Sequence, residues 1–256
     1  MVNARNKRLG EARSVIREIF EYGNARKREI GEENVFDFSI GNPGVPAPRE
    51  VNEEIVRLVK TVPSLKLHGY TSAAGAPEVR EAVADYIRTA FGVPMSAEGV
   101  YMTCGAAASL TITLFALCEE GDQFVNVTPC FPENREFIES AGGKVVEEPC
   151  GMDFHMHMDA LAKPVGEHTK GVIINSPNNP TGAVYSRTEL QALGALLEKK
   201  SRERGAPVFL IADEPYRELT YGAEVPYPMA FYPNTVVCYS FSKSLSLAGE
   251  RIGYIA

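Results

Sequence analysis

The chain has 256 residues, 45% hydrophobic and 23% charged, with a formal net charge of -7; this is the balance of a globular protein of one large or two small domains, and its acidity argues against nucleic acid as main partner. Its five cysteines, Cys104, Cys118, Cys130, Cys150 and Cys238, are odd in number and form no C-x-x-C pair, which disfavours a disulfide framework or zinc site and fits a reducing cytosol. The opening MVNARNKRLGEAR has no apolar signal region, and apolar-rich runs such as Leu110 to Leu117 are too short to span a bilayer, so the expectation is a soluble cytoplasmic protein without a membrane partner.

Residues 9–29 alternate apolar and charged positions at helical spacing, with Val15, Ile16, Ile19 and Phe20 on one face. A turn-rich segment follows, Ile40-Gly-Asn-Pro-Gly-Val-Pro-Ala-Pro48, and then a predicted helix over 49–60. Further helices are predicted near 76–91, 106–118, 133–142 and 187–204. Short apolar strands are predicted at 99–103, 123–127, 171–175, 207–212 and 235–239. Several are apolar on both faces, as strands of a covered parallel sheet must be. Strands alternating with helices give a layered α/β domain. There is no internal repeat and no low-complexity tract.

In an open α/β sheet, ligands bind beyond the carboxyl ends of the strands. The residues there are therefore the first to inspect. After the first strand comes Cys104-Gly-Ala-Ala-Ala-Ser-Leu110. Backbone N–H groups at a helix start bind anions, and small side chains let a phosphate approach; a plain tight turn reads the same way. After the second comes Thr128-Pro-Cys-Phe-Pro-Glu-Asn134, where Phe131 either stacks on a flat ring or plugs the core. After the third, Ser176-Pro-Asn-Asn-Pro-Thr-Gly182 brings the amides of Asn178 and Asn179 to the sheet edge on a constrained loop, unless it is a generic turn. After the fourth, Asp213-Glu-Pro-Tyr216 puts a carboxylate at the end of an apolar strand. That is costly without a cationic or hydrogen-bonding partner, unless Asp213 caps a helix. After the fifth, Ser240-Phe-Ser-Lys243 and then Arg251 gather hydroxyls and cations, which otherwise read as a solvated loop. Taken together, five strand ends carry groups suited to one planar, cationic, phosphate-bearing cofactor.

From about Ile40 onward the chain resembles the class I/II aminotransferases, fold-type I enzymes that depend on pyridoxal phosphate. Asn178-Asn-Pro-Thr-Gly182, Asp213-Glu-Pro-Tyr216 and Ser240-Phe-Ser-Lys243 followed by Arg251 carry the likeness in order and spacing. Tyr70-Thr-x-x-x-Gly75, with Arg80 beyond, is a fourth marker. The resemblance implies a three-layer α/β/α large domain with a mostly parallel sheet, over residues 48–256 and incomplete. Residues 1–47 are then an N-terminal arm and part of a small domain, whose C-terminal portion is absent.

It also implies roles. Lys243 would form a Schiff base with pyridoxal phosphate and shuttle a proton during transfer of an amino group between an L-amino acid and a 2-oxo acid. Asp213 would pair with the protonated ring nitrogen. Asn179 and Tyr216 would hydrogen-bond the phenolic oxygen, tuning the Schiff base, with Asn179 also at the substrate. Phe131 would stack on the ring. Gly105, Ala106, Ser240 and Arg251 would hold the phosphate. Tyr70 would reach the phosphate of a neighbouring subunit, which implies a homodimer. Gly41 would lie near the substrate carboxylate.

Two departures from the family pattern stand out. Many relatives have a hydroxyl where Ala106 or Ala107 stands, a difference of about 1 kcal/mol of cofactor binding. The chain also stops at Ala256, five residues after Arg251. Ile252 to Ala256 reads as the start of a strand, and the expectation is a fragment of a longer protein. The rival readings are a pyridoxal-phosphate C–S lyase or decarboxylase on the same fold, an inactive fragment, or the sensor domain of a transcription regulator. Residues 1–40 offer one predicted helix, too little for the last one's helix-turn-helix, and the charge is acidic. His155-Met-His157 would set two imidazoles on one face of a strand, without the further ligands a metal needs, so no metal is expected. No nucleotide-binding glycine motif is present.

Overall fold

A computed structural model describes residues 2–11 and 15–256. It forms two compact units, Met1–Gly44 and Val45–Ala256. In the first, helices α1 (Ala4–Glu11) and α2 (Val15–Ile30) occupy the span predicted as one helix; residues 12–14 of that span lie outside the described residues. Ile16 and Ile19 line an open groove with Val35, Phe36 and Phe38, and Lys27 pairs with Asp37 at 3.0 Å.

The second unit begins with α3 (Arg49–Thr61), the single turn α4 (Ser64–Leu67) and α5 (Pro77–Phe91). There follow β1 (Tyr101–Thr103), α6 (Ala106–Leu117), β2 (Gln123–Thr128), α7 (Glu133–Ser140) and β3 (Lys144–Pro149). Then come α8 (Met158–Leu161), β4 (Thr169–Asn175), α9 (Arg187–Arg204) and β5 (Phe209–Asp213). The last elements are β6 (Thr235–Ser240), α10 (Phe241–Ser244) and β7 (Gly253–Ile255). Local chemistry sets the helix starts. Pro77, with no N–H to satisfy, opens α5. Ser186 and Glu189 cap α9 reciprocally, Glu189 N donating to Ser186 Oγ at 3.2 Å and Ser186 N to Glu189 Oε2 at 2.9 Å.

The strands form one sheet in the order β1-β7-β6-β5-β4-β2-β3. All neighbours are parallel except β7, which runs antiparallel to both β1 and β6. Two reversals cancel, so β1 points the same way as β6. The carboxyl ends of β1, β6, β5, β4 and β2 therefore open on one edge, where β7 begins. The register confirms the alignment, because Thr103 and Ser240 both lie opposite Gly253.

Side chains along a strand alternate between the two faces, and the core divides accordingly. Val125, Val172, Ile174, Leu210 and Val237 pack with α5 and α9 side chains such as Ile87 and Leu193. Phe124, Ile173, Ile211 and Cys238 pack with Leu110 and Leu114 of α6 and Ile138 of α7. Helices thus cover both faces, giving the expected three-layer α/β/α unit. Continuing the alternation to the strand ends places Asn126, Asn175, Asp213 and Ser240 on the α6 face, one polar residue per strand.

Every strand and helix predicted in this unit is present, with adjusted ends. The first strand starts at Tyr101 because Ala97–Gly99 curls into a 3-10 turn. The expected strand at Ile252–Ala256 is β7. β3 was not anticipated; it is an edge strand whose residues are at most half-buried, so its only apolar signal is the pair Val145-Val146. The placement of His155 and His157 on a strand is corrected. They lie in a loop, His155 Nδ1 3.0 Å from Glu189 Oε1 and His157 Nε2 3.6 Å from Asp153 Oδ1. The glycine and aspartate turns around them break the extended run. Among the described residues no helix is long and apolar enough to cross a membrane.

Candidate active site

At the shared edge of the sheet is an open cleft of about 200 Å3. Ala106, Phe131, Asn179, Asp213, Tyr216, Ser240, Lys243 and Arg251 all line it, so residues singled out after five different strands meet in one place. Tyr70 is fully exposed between α4 and α5 and is not among the lining residues. Gly41 belongs to the other unit.

Two adjacent acids end β5, and their surroundings separate them. Glu214 is bound on both oxygens by Arg217, and both side chains are buried. The Arg217 guanidinium lies 5.0 Å from the Phe91 ring and 4.9 Å from the Tyr227 ring, and donates to Val225 O at 2.9 Å. Glu214 is therefore committed to holding the β5 exit against α5. Asp213 is also buried, but its Oδ1 has no hydrogen-bond partner. Burial, and then the neighbouring Glu214 charge, push its carboxyl up to about 7. No helix follows Asp213, since residues 215–218 form turns, so it is not a helix cap. A buried, orphaned carboxylate oxygen facing a cleft has the chemistry to receive a cationic N–H.

Lys243 lies on α10, immediately beyond β6. Its half-burial lowers the amine's proton affinity, which favours the neutral, nucleophilic form. Tyr216 accepts its largest perturbation from burial, then from the Asp213 charge; both push the phenol up, and a hydrogen bond with Asn179 opposes them.

The loop carrying Asn179 is held from two sides. Asn178, buried, donates to Pro129 O at 3.2 Å and accepts from Thr181 N at 3.1 Å. It thereby fastens this loop to the Phe131 loop after β2. Asn134 N in turn donates to Phe131 O at 3.1 Å.

The opposite end of the cleft is cationic. Gly105 precedes α6, no side chain caps that helix, and its first-turn N–H groups lack intrahelical acceptors. Arg251 Nη1 donates to Ser242 Oγ at 3.3 Å and Ala248 O at 3.0 Å, and Nη2 to Cys104 O at 3.2 Å. These bonds fix the guanidinium beside the helix start. Gly105 has φ +95°, and a Cβ there would stand 2.7 Å from Arg251 Nη2. A Cβ on Gly253 would stand 2.8 Å from Gly105 Cα. Both positions need glycine for the strand, helix start and arginine to converge. A helix start, a guanidinium and the Ser240 and Ser242 hydroxyls form a cradle for a dianion.

Sequence reasoning gave no role to two contributors. Ser242 lines the cleft and accepts from Arg251, supplying a hydroxyl near the alanines of the α6 turn; it was visible inside Ser240-Phe-Ser-Lys243. Asn175 reads as the last residue of a strand, and only its hydrogen bonds distinguish it.

An α/β/α layered unit gathers an acid, an amine and an anion cradle at one sheet edge, and the chain belongs to the family of class I and II aminotransferases, whose pattern it matches over residues 33–256. It is 31% identical to an aspartate aminotransferase of Pyrococcus horikoshii over 95% of this chain and 59% of that protein. It is 33% identical to a probable aspartate/prephenate aminotransferase of Aquifex aeolicus, over 87% of this chain and 56% of that one. The fold superposes on an aminotransferase from Eubacterium rectale with a TM-score of 0.96 and 52% identity, covering 100% of this chain and 65% of that one. The chain thus spans about three-fifths of the length of these relatives.

Proposed function

We propose that this chain carries the pyridoxal-phosphate site of an aminotransferase that moves an amino group between an L-amino acid and a 2-oxo acid. The observation that supports this most is the orphaned Asp213 oxygen sharing one cleft with Lys243 and Arg251. The cofactor fits the residues present. Its protonated ring nitrogen answers the unpaired carboxylate, its phosphate answers the cradle at α6, and its flat ring suits a cleft walled by Phe131. When bound, it supplies an electron sink for charge developing at the substrate α-carbon.

The chain's own residues do the rest. Asp213 holds a proton on the ring nitrogen. Lys243 Nζ would hold the cofactor at rest and, once freed from it by the substrate amine, would take and return the substrate's α-proton. Asn179 and Tyr216 donate to the ring oxygen, and Asn179 also borders the substrate. Phe131 limits tilt by stacking. Gly105, Ala106, Ser240 and Arg251 would hold the phosphate. Tyr70, exposed on its own unit, fits a role at the partner's phosphate in a homodimer. Residues 1–47 are read as an arm and part of a small domain, and the five free thiols fit the cytoplasm.

Gly105→Ala is expected to lower stability by about 1–3 kcal/mol in urea unfolding, from its left-handed backbone. The same variant displaces Arg251, and its pyridoxal-phosphate affinity falls roughly tenfold or more, the worth of one charge-assisted contact.

The reaction class is tested by adding single amino acids, aspartate among them, to the cofactor-loaded chain. Stoichiometric 2-oxo acid with aminated cofactor supports aminotransfer. Pyruvate with ammonia and thiol, or release of carbon dioxide, replaces it with lyase or decarboxylase chemistry.

A further inference from the structure

Asn175 ends β4, is 3% exposed, and lies beside Asp213 of β5 in the sheet register. Both side chains fall on the α6 face by alternation. Its carboxamide is satisfied at both ends. Nδ2 donates to the Asp213 carbonyl at 2.7 Å, and Oδ1 accepts from the Asn179 N–H at 2.6 Å. One rigid planar group therefore joins the main chains of two residues that the site brings to one cleft. Only a carboxamide offers a donor and an acceptor on a single short plane; a carboxylate lacks the donor and an aliphatic residue lacks both. The loop after β4 is also tied through Asn178 to the Phe131 loop and by the Tyr216–Asn179 side-chain bond, so Asn175 is the side chain that ties its main chain to the main chain of the acid strand.

We infer that Asn175 is a positioning residue, whose carboxamide sets the spacing between Asp213 and Asn179 and so where both side chains meet the cofactor ring. This rests on the pyridoxal-phosphate reading above. Asn175 touches neither cofactor nor substrate; it acts through its two neighbours. A relaxed Asn179 donates less well to the ring oxygen. More negative charge then stays on that oxygen, and the Lys243 nitrogen joined to the cofactor keeps its proton to higher pH.

The experiment titrates the visible absorbance of the pyridoxal-phosphate-loaded 256-residue chain against pH, in wild type, Asn175→Ala, Asn175→Ser, Asn179→Ala and the Asn175→Ala/Asn179→Ala double variant. The single Asn175 variants are expected to shift the midpoint upward by roughly half a pH unit. The shift should shrink by more than half in the Asn179→Ala background, because coupled residues are non-additive. Amide hydrogen exchange at Asn179 in the cofactor-free chain should quicken, a readout that needs no cofactor. An unchanged midpoint in a folded variant, or a fully additive double variant, overturns the inference. So does failure of both the Ala and Ser variants to fold, which assigns Asn175 to the fold alone. A wild type that takes up no pyridoxal phosphate removes the underlying reading instead, and the inference falls with it.

Discussion

Lys243→Ala is expected to abolish the visible band that wild type develops with pyridoxal phosphate and to slow the half-reaction with an amino acid by about 10²–10⁴-fold, the range that a positioned acid–base group contributes. The expectation follows from position and environment. Lys243 directly follows β6 at the edge where the other strands end, its amine is weakened as a base by partial burial, and it borders the cleft with Asp213 and Arg251. Alanine leaves the phosphate cradle and Asp213 in place, so the variant should still bind the cofactor, noncovalently. Stopped-flow absorbance gives the rate and equilibrium dialysis gives the affinity. A variant that turns over at the wild-type rate would remove Lys243 from the chemistry.

Asp213→Asn should act in opposite directions with and without cofactor. In the folded, cofactor-free chain burial holds the proton on the carboxyl up to about 7, against 3.8 for an ordinary aspartate. Between these values the folded state binds more protons than the unfolded state, so wild-type stability falls as pH rises and stays low above the folded value. Asparagine has no such titration. The cofactor-free variant should match wild type near pH 4 and exceed it above pH 7, by up to roughly 4 kcal/mol at 1.36 kcal/mol per unit. With pyridoxal phosphate the order reverses. A charged partner for the ring nitrogen is gone, and the half-reaction should slow by on the order of 10²–10³-fold, as when a preorganised electrostatic partner is removed. Urea unfolding across pH, with and without cofactor, reads both effects. A variant no more stable than wild type at pH 8 would show that Asp213 is not strained in the cofactor-free chain.

The strand ends were legible because each apolar run stops at an abrupt polar or glycine-rich segment, and α/β geometry sends such segments to one edge. Asp213 stood out because a carboxylate at the end of an apolar strand needs a partner; Lys243 and Arg251, in a loop that also reads as solvated, were marked by the joint pattern of strand ends and by the family resemblance. Other features were hidden by being locally ordinary. Asn175 closes a strand and looks like any half-polar terminus; its role depends on Asp213 lying beside it in the sheet, which chain order alone does not reveal. The division of labour between Asp213 and Glu214 required seeing Arg217 return to the second acid and leave the first alone. β3 has a single apolar pair and pairs only with β2, so periodicity could not mark it. Tyr70 and Gly41 were named through resemblance. Neither lines the cleft of the second unit, and their roles stand as proposals about a larger assembly.

The central claim is that this cleft binds pyridoxal phosphate through Lys243. The most direct test is to incubate the wild-type chain with pyridoxal phosphate, reduce with borohydride, digest with protease and map the modified peptide by mass spectrometry. Stoichiometric modification confined to Lys243, and lost when phosphate or Arg251→Ala weakens the cradle, is the expected result. Modification scattered over surface lysines, with Lys243 no more labelled than the rest, would contradict it.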